Sequence, residues 1–310
     1  MLVDAIVLLV VGAVALLLPS FGPYRAHLRR AFARKAGAQV PADQEARLEA
    51  RLGFRSRGAG MGILLAGLVA LVLARTWEGA DQAAGGFFVL SVMFVVGAAG
   101  AALADLARPG VLAEGPRTAR ATTPTLEDYL PPYLRTLGRG FVGLGMVALV
   151  GALLLGGTEW FDAGTVLLSP VPVLAVGIPV VVLLSWLATR RVLDSPQPAR
   201  DEVELYWQDA VRADTLSSLS MAAPILSLLA LAATGNVLDD AASTAAVVSG
   251  QIGPGWSLAV LVAGYLLPVV LVGVALLVAA GPGRRTEAQH VRDRLWGGRA
   301  PTGDPHGAGA

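Results

Sequence analysis

The side chains that ordinarily do chemistry are scarce in this sequence, and their placement restricts what it can do. Cysteine is absent, which removes disulfides, thiolate metal sites and cysteine nucleophiles. The three histidines, His27, His290 and His306, all fall in polar segments, with no zinc-type spacing to a second ligand and no serine partner at depth. Solvated surface positions are their expected places. Two groups of weaker residues remain. Ser217, Ser220, Pro224 and Ser227 recur at offsets of three, four and three, which puts them on one helical face. Hydroxyls on such a face can hydrogen-bond between helices or line a wet path. Ser169-Pro170-Val171-Pro172, followed by Gly177 and Pro179, would free backbone carbonyls and break or kink a helix. Broken helices of this kind line substrate sites in some transporters, and they also occur where neighbouring helices satisfy the freed groups.

The segments that carry these residues are apolar to a degree that water does not permit. Only 15% of the 310 residues are charged and 55% are hydrophobic, with a mean hydropathy of +0.62. A soluble domain carries about 25% charged residues. The apolar residues come in seven blocks, 2–18, 58–74, 87–106, 141–157, 165–188, 215–234 and 257–280. About 20 helical residues cross roughly 30 Å of hydrocarbon, and lipid leaves no partner for a bare backbone group. The expected fold is therefore an all-α polytopic bundle of seven transmembrane spans over residues 1–283. A short cytoplasmic amphipathic helix over 284–296 and a disordered Gly/Pro-rich tail over 297–310 are expected to follow. Trp77, Trp160, Trp186 and Trp256 fall near span ends, where indole rings favour the interface.

Charge sets the expected orientation. The segments after spans one, three, five and seven hold nine, five, four and five Lys or Arg, whereas the alternate segments hold only Arg75. Basic residues are retained in the cytoplasm, so the N-terminus is expected outside and the C-terminus inside. The first block has no basic residue before it and no convincing cleavage site after it, so it is expected to remain as a span. Polar helix-forming stretches precede spans two, four and six and end in Arg57, Arg139 and Arg212. They describe three helical hairpins of equal orientation plus a seventh helix, unlike an inverted transporter repeat.

The Arg-rich stretch from Tyr24 to Lys35, together with the acidic-plus-basic helices before later spans, resembles uncharacterised multi-pass membrane proteins of actinobacteria. The resemblance is one of layout and brings no activity with it. The strong preference for Arg over Lys, with Lys35 the single lysine, fits a GC-rich bacterial genome.

Functional expectations follow from these placements. The span centres hold no ionisable residue; Asp4, Asp105 and Asp214 lie at span ends. Ion-coupled carriers and proton relays keep such a group at depth. A retinal protein needs a lysine within a span, and membrane hydrolases need a base, a metal or paired carboxylates. No catalytic, cofactor-binding or metal-binding residue is therefore assigned, and no enzyme is expected. The leading expectation is a non-enzymatic accessory, scaffold or regulatory subunit of the bacterial cytoplasmic membrane. The alternative is a transporter or permease for an apolar or lipid-like substrate, using Ser169, Ser220 and Ser227. Expected partners are a bilayer with anionic headgroups and either a membrane protein or a second copy of the chain. Nucleic acid is not expected, because aromatic interleaving and a soluble basic domain are missing. In residues 25–35, Leu28 and Phe32 are expected to face lipid with the arginines toward headgroups. Tyr206 and Trp207 are expected as exposed aromatics of a docking surface. Gly58, Gly62, Ala66, Ala70 and Ala74 form a small-residue row that could seat a helix of the same chain or of a second copy.

Overall fold

A computed structural model describes residues 1–38, 40–76, 86–107, 124–197, 199, 201–251, 253–281, 286–299 and 301. The described residues form eleven α-helices: α1 (Leu2–Leu17), α2 (Gly22–Ala36), α3 (Ala42–Thr76), α4 (Gly86–Ala107), α5 (Leu126–Tyr129), α6 (Pro132–Leu155), α7 (Ala163–Leu168), α8 (Val171–Asp194), α9 (Glu202–Ser249), α10 (Gly255–Ala280) and α11 (Glu287–Leu295). Six helical stretches among the described residues are long and apolar enough to cross a membrane, and the apolar part of α4 is a shorter seventh. Trp77, residue 300 and residues 302–310 of the expected tail lie outside the described residues.

Local chemistry sets the helix ends. Asp201 caps α9 by accepting from the Glu204 N–H at 2.7 Å, and Asp162 caps α7 by accepting from Thr165 N–H at 2.6 Å. Thr286 and Gln289 close a capping box on α11. Gly37 and Gly250 end α2 and α9 in the left-handed conformation, at φ of 68° and 67°. The proline-rich fifth block breaks as its sequence implies: α7 stops at Leu168, Ser169 and Pro170 intervene, and α8 starts at Val171 with Pro179 inside it. Of the three polar stretches before spans, those opening α3 and α9 run unbroken into apolar helix. The one before α6 is interrupted at Pro131-Pro132, leaving α5 as a separate turn.

Glycine contacts register the helices. A Cβ on Gly12 would lie 2.6 Å from the Leu64 nitrogen, and one on Gly60 would lie 2.6 Å from the Leu16 nitrogen, so α1 and α3 run antiparallel in backbone contact. On the opposite side of α3, a Cβ on Gly58 would lie 2.5 Å from the Gly100 oxygen and one on Gly62 would lie 2.6 Å from Val96 O. The small-residue row therefore seats α4 of the same chain, and dispersion between closely approaching backbones holds the three helices together.

The second half is organised by α9. At about 1.5 Å per residue its 48 residues are about 72 Å long, more than twice the hydrocarbon thickness. Gly145 of α6 packs on Ser227, and Gly235 of α9 packs on Gly264 of α10. The main core joins Leu149 of α6, Val166 of α7, Ile178 of α8 and Ala230, Val237 and Ala241 of α9. Of the apolar stretch of α9, 61% is buried; of that of α10, only 6%. Successive long helices alternate in direction, which brings the basic ends together at one end of the bundle.

Candidate functional site

That basic end contains the densest polar structure in the described molecule. It is built from α2, α3, α4, α5, α9, the turn after α8, and the α11 segment. Asp209 of α9 is fully buried. It accepts from the Tyr129 hydroxyl at 3.0 Å, Gln197 Nε2 at 3.1 Å and Trp296 Nε1 at 3.1 Å. One carboxylate thus ties α5, the turn after α8 and the C-terminal segment to α9. Burial, and then the neighbouring Asp209 charge, push the Tyr129 phenol well above its ordinary value.

One and a half turns along α9, the charged residues interlock. Asp214 takes Lys35 of α2 and Arg55 of α3, the latter at 2.7 Å. Asp105 of α4 accepts from the Thr215 hydroxyl at 2.7 Å and faces Arg55 at 3.6 Å. Glu287 of α11 accepts from Ser217 at 2.8 Å and lies 3.5 Å from Lys35. Burial opposes the charge on Lys35, but Asp214 and Glu287 together hold its ammonium above the ordinary lysine value. Arg294 of α11 lies 3.4 Å from Asp128, and a ring nitrogen of His290 lies 2.9 Å from the Glu127 carbonyl oxygen.

Several expectations change here. Tyr206 and Trp207 are buried, not exposed. Tyr206 donates to the Ala36 carbonyl at 2.6 Å and meets the rings of Trp207 and Trp296 edge-on, at 5.7 and 5.4 Å. Phe32 faces Trp207 with ring centroids 6.1 Å apart, so its side of α2 packs on protein instead of lipid. The aromatic patch is a joint between α2, α9 and the C-terminal segment, where Tyr206 and Trp296 bury their ring faces while the Tyr206 hydroxyl and the Trp296 N–H find partners. His290 is also buried, whereas His27 is exposed as expected and His306 lies outside the described residues. Arg212 points inward and donates to Ser195, including its hydroxyl at 3.1 Å.

Of the serines of spans five and six, Ser217 reaches Glu287, and Ser169, Ser220 and Ser227 turn to nearby backbone carbonyls. Ser169 donates to Val166 O at 2.7 Å, Ser220 to Ser217 O at 2.8 Å and Ser227 to Ala223 O at 2.8 Å. Ser169 and Ser227 are buried. Among the described residues no three His, Asp or Glu side chains are grouped as metal ligands. Besides an open cavity of about 840 Å³ along α2 at His27, Arg30 and Arg34, smaller cavities open at the basic end among the described residues. One of about 30 Å³ sits between Phe32, Lys35, Tyr206, Asp214, Glu287 and Val291. A larger one of about 200 Å³ lies where α3, α4, α8 and α9 converge.

The sequence puts Asp105 and Asp214 at span ends and Asp209 in one polar stretch with Tyr206, Trp207 and Arg212, but not the pairing with Arg55 or the bonds of Gln197 and Trp296 to Asp209. The available signal was Arg55, Asp105 and Asp214 each lying within three residues of a span boundary at one bundle end, where opposite charges attract in a partly dry environment. No protein-family model, curated protein or solved structure matches the chain.

Proposed function

We infer that this chain is a seven-span protein of a bacterial cytoplasmic membrane, with its N-terminus outside and its basic end in the cytoplasm. It serves there as a non-enzymatic accessory, scaffold or regulatory subunit. The apolar α4 supplies the seventh span, and the gathering of Arg residues at one bundle end supports the orientation through the positive-inside rule. The observation that carries the functional reading is the filling of the α6–α9 interior by apolar side chains, with the hydroxyls of Ser169, Ser220 and Ser227 engaged by nearby backbone carbonyls. With Tyr206 and Trp207 buried, cytoplasmic docking falls to the outer side of α2, where His27, Arg30 and Arg34 are exposed.

The break at Ser169-Pro170 favours a second reading, transport of an apolar or lipid-like substrate, since an interrupted helix can open and close around cargo. Native mass spectrometry after gentle extraction separates the two. A stoichiometric protein partner is the expected result. A lone chain or homo-oligomer that retains an apolar molecule, and loses it on Ser227→Leu, would overturn the accessory reading in favour of transport.

A further inference from the structure

The cavity of about 200 Å³ between α3, α4, α8 and α9 has the properties of an anion site. Arg51, Arg191 and Arg212 line it, against Asp105 and Asp194. Asp105 is already engaged, accepting from Thr215 and facing Arg55. Asp194 and Arg191 are exposed at the rim. The guanidinium of Arg51 is poorly satisfied. Its Nε is buried without a hydrogen-bond partner among the described residues, and it pairs with the Asp105 carboxylate only at 3.8 Å, beyond hydrogen-bond range. Arg55 and Arg212 add like charge around it. Buried donors in native proteins nearly always have a partner, so the Arg51 Nε beside this cavity points to one not supplied by the chain.

The size of the cavity narrows the class of anion. About 200 Å³ is below the roughly 300–1,000 Å³ of pockets that enclose drug-sized ligands, and so below what a nucleotide fills. A phosphate group fits this volume, and its oxygens match the planar fork of a guanidinium. The cavity lies beside the ends of α4 and α8, Asp105–Leu106 and Arg191–Asp194, where apolar helix gives way to polar chain. A lipid phosphate would sit at that depth.

We propose that the cavity between α3, α4, α8 and α9 binds a phosphate group, held by Arg51 with Arg191 and Arg212. The shared chemistry is a phosphate oxygen on a guanidinium; its source is either an anionic phospholipid headgroup or free phosphate. The site stands apart from the accessory-subunit reading, which concerns protein partners.

The full-length protein in neutral detergent tests it, with thermal unfolding and ligand titration as readouts. The probes are dioleoylphosphatidylglycerol, inorganic phosphate, and potassium chloride at matched ionic strength. Stabilisation by the lipid alone, with an affinity about tenfold weaker in Arg51→Gln, assigns the site to a headgroup. The same dependence with inorganic phosphate assigns it to the free ion. Should Arg51→Gln fail to fold, Arg191→Gln at the exposed rim is read in its place. Arg139→Gln, an exposed basic residue of α6 outside the cavity, controls for bulk charge. Equal losses in Arg139→Gln and the site variants would overturn the proposal, as would no stabilisation of the wild type by either probe beyond chloride.

Discussion

The helices α9 and α10 are neighbours in sequence and in space, yet they do opposite work. The apolar stretch of α10 is among the most hydrophobic in the chain, and 6% of it is buried; α9 is less apolar and is 61% buried. In water the order would be reversed. In a bilayer, lipid tails are as apolar as leucine, so hydrophobicity gives a helix no reason to be inside. What draws a helix inward is its hydroxyls, carboxylates and small residues, because these find partners in protein and not in lipid. Asp209, Arg212, Asp214, Thr215, Ser217 and Ser227 all lie on α9. Leu258, Leu266, Val269, Leu276 and Leu277 of α10 are exposed.

Substitutions on the two helices can break or sharpen this contrast. The largest effect is expected at Asp209. Replacing it with Ala strands the Tyr129, Gln197 and Trp296 donors and should cost about 3 kcal/mol or more in equilibrium unfolding, while Asp209→Asn keeps an acceptor and should cost less. Next come the glycines. A Cβ on Gly145 would lie 2.7 Å from Ser227 Cβ, so Gly145→Val should cost about 1–3 kcal/mol; Gly273 of α10 faces open space, so Gly273→Ala should be neutral or stabilising, read by thermal melts.

Lys35 gives a smaller effect with a defined pH dependence. Its folded pKa is raised, so its stabilisation is complete below the unfolded lysine pKa of about 10.4 and is lost as pH rises through the higher folded value. Its side chain is 51% exposed and therefore screened, which limits the contribution to under about 1 kcal/mol. Wild type and Lys35→Met should differ up to about pH 10 and converge only as pH rises through the folded lysine value above it, as followed by melting temperature. The smallest effect is expected at Leu277 of α10, where Ala should change stability by no more than about 0.5 kcal/mol because the side chain is 75% exposed.

Much of this architecture was legible in the residues. The seven apolar blocks fall largely on helix, and Ser169-Pro170 marks the break between α7 and α8 because a missing N–H cannot be compensated within the helix. Helix length was less legible. An apolar block reports hydrocarbon thickness, whereas α9 continues beyond 234 on the helix-forming alanines Ala241, Ala242, Ala245 and Ala246. The polar layer was the least legible part. Burial of Tyr206 requires Trp296, about ninety positions away, and a local pattern of aromatics and charges reads the same on a docking surface as at an internal joint. His290 was misplaced for the same reason, since its partner is the Glu127 carbonyl of a distant turn.

The central claim is that the more polar helix is the core and the more apolar one faces lipid. Because the chain has no cysteine, single-cysteine variants carry a spin label without background. Labels at Ala230 of α9 and Leu266 of α10, in reconstituted bilayers, would be compared for collision with lipid-dissolved oxygen. The account predicts strong relaxation at position 266 and little at 230. Equal relaxation at both, or the reverse order, would contradict it.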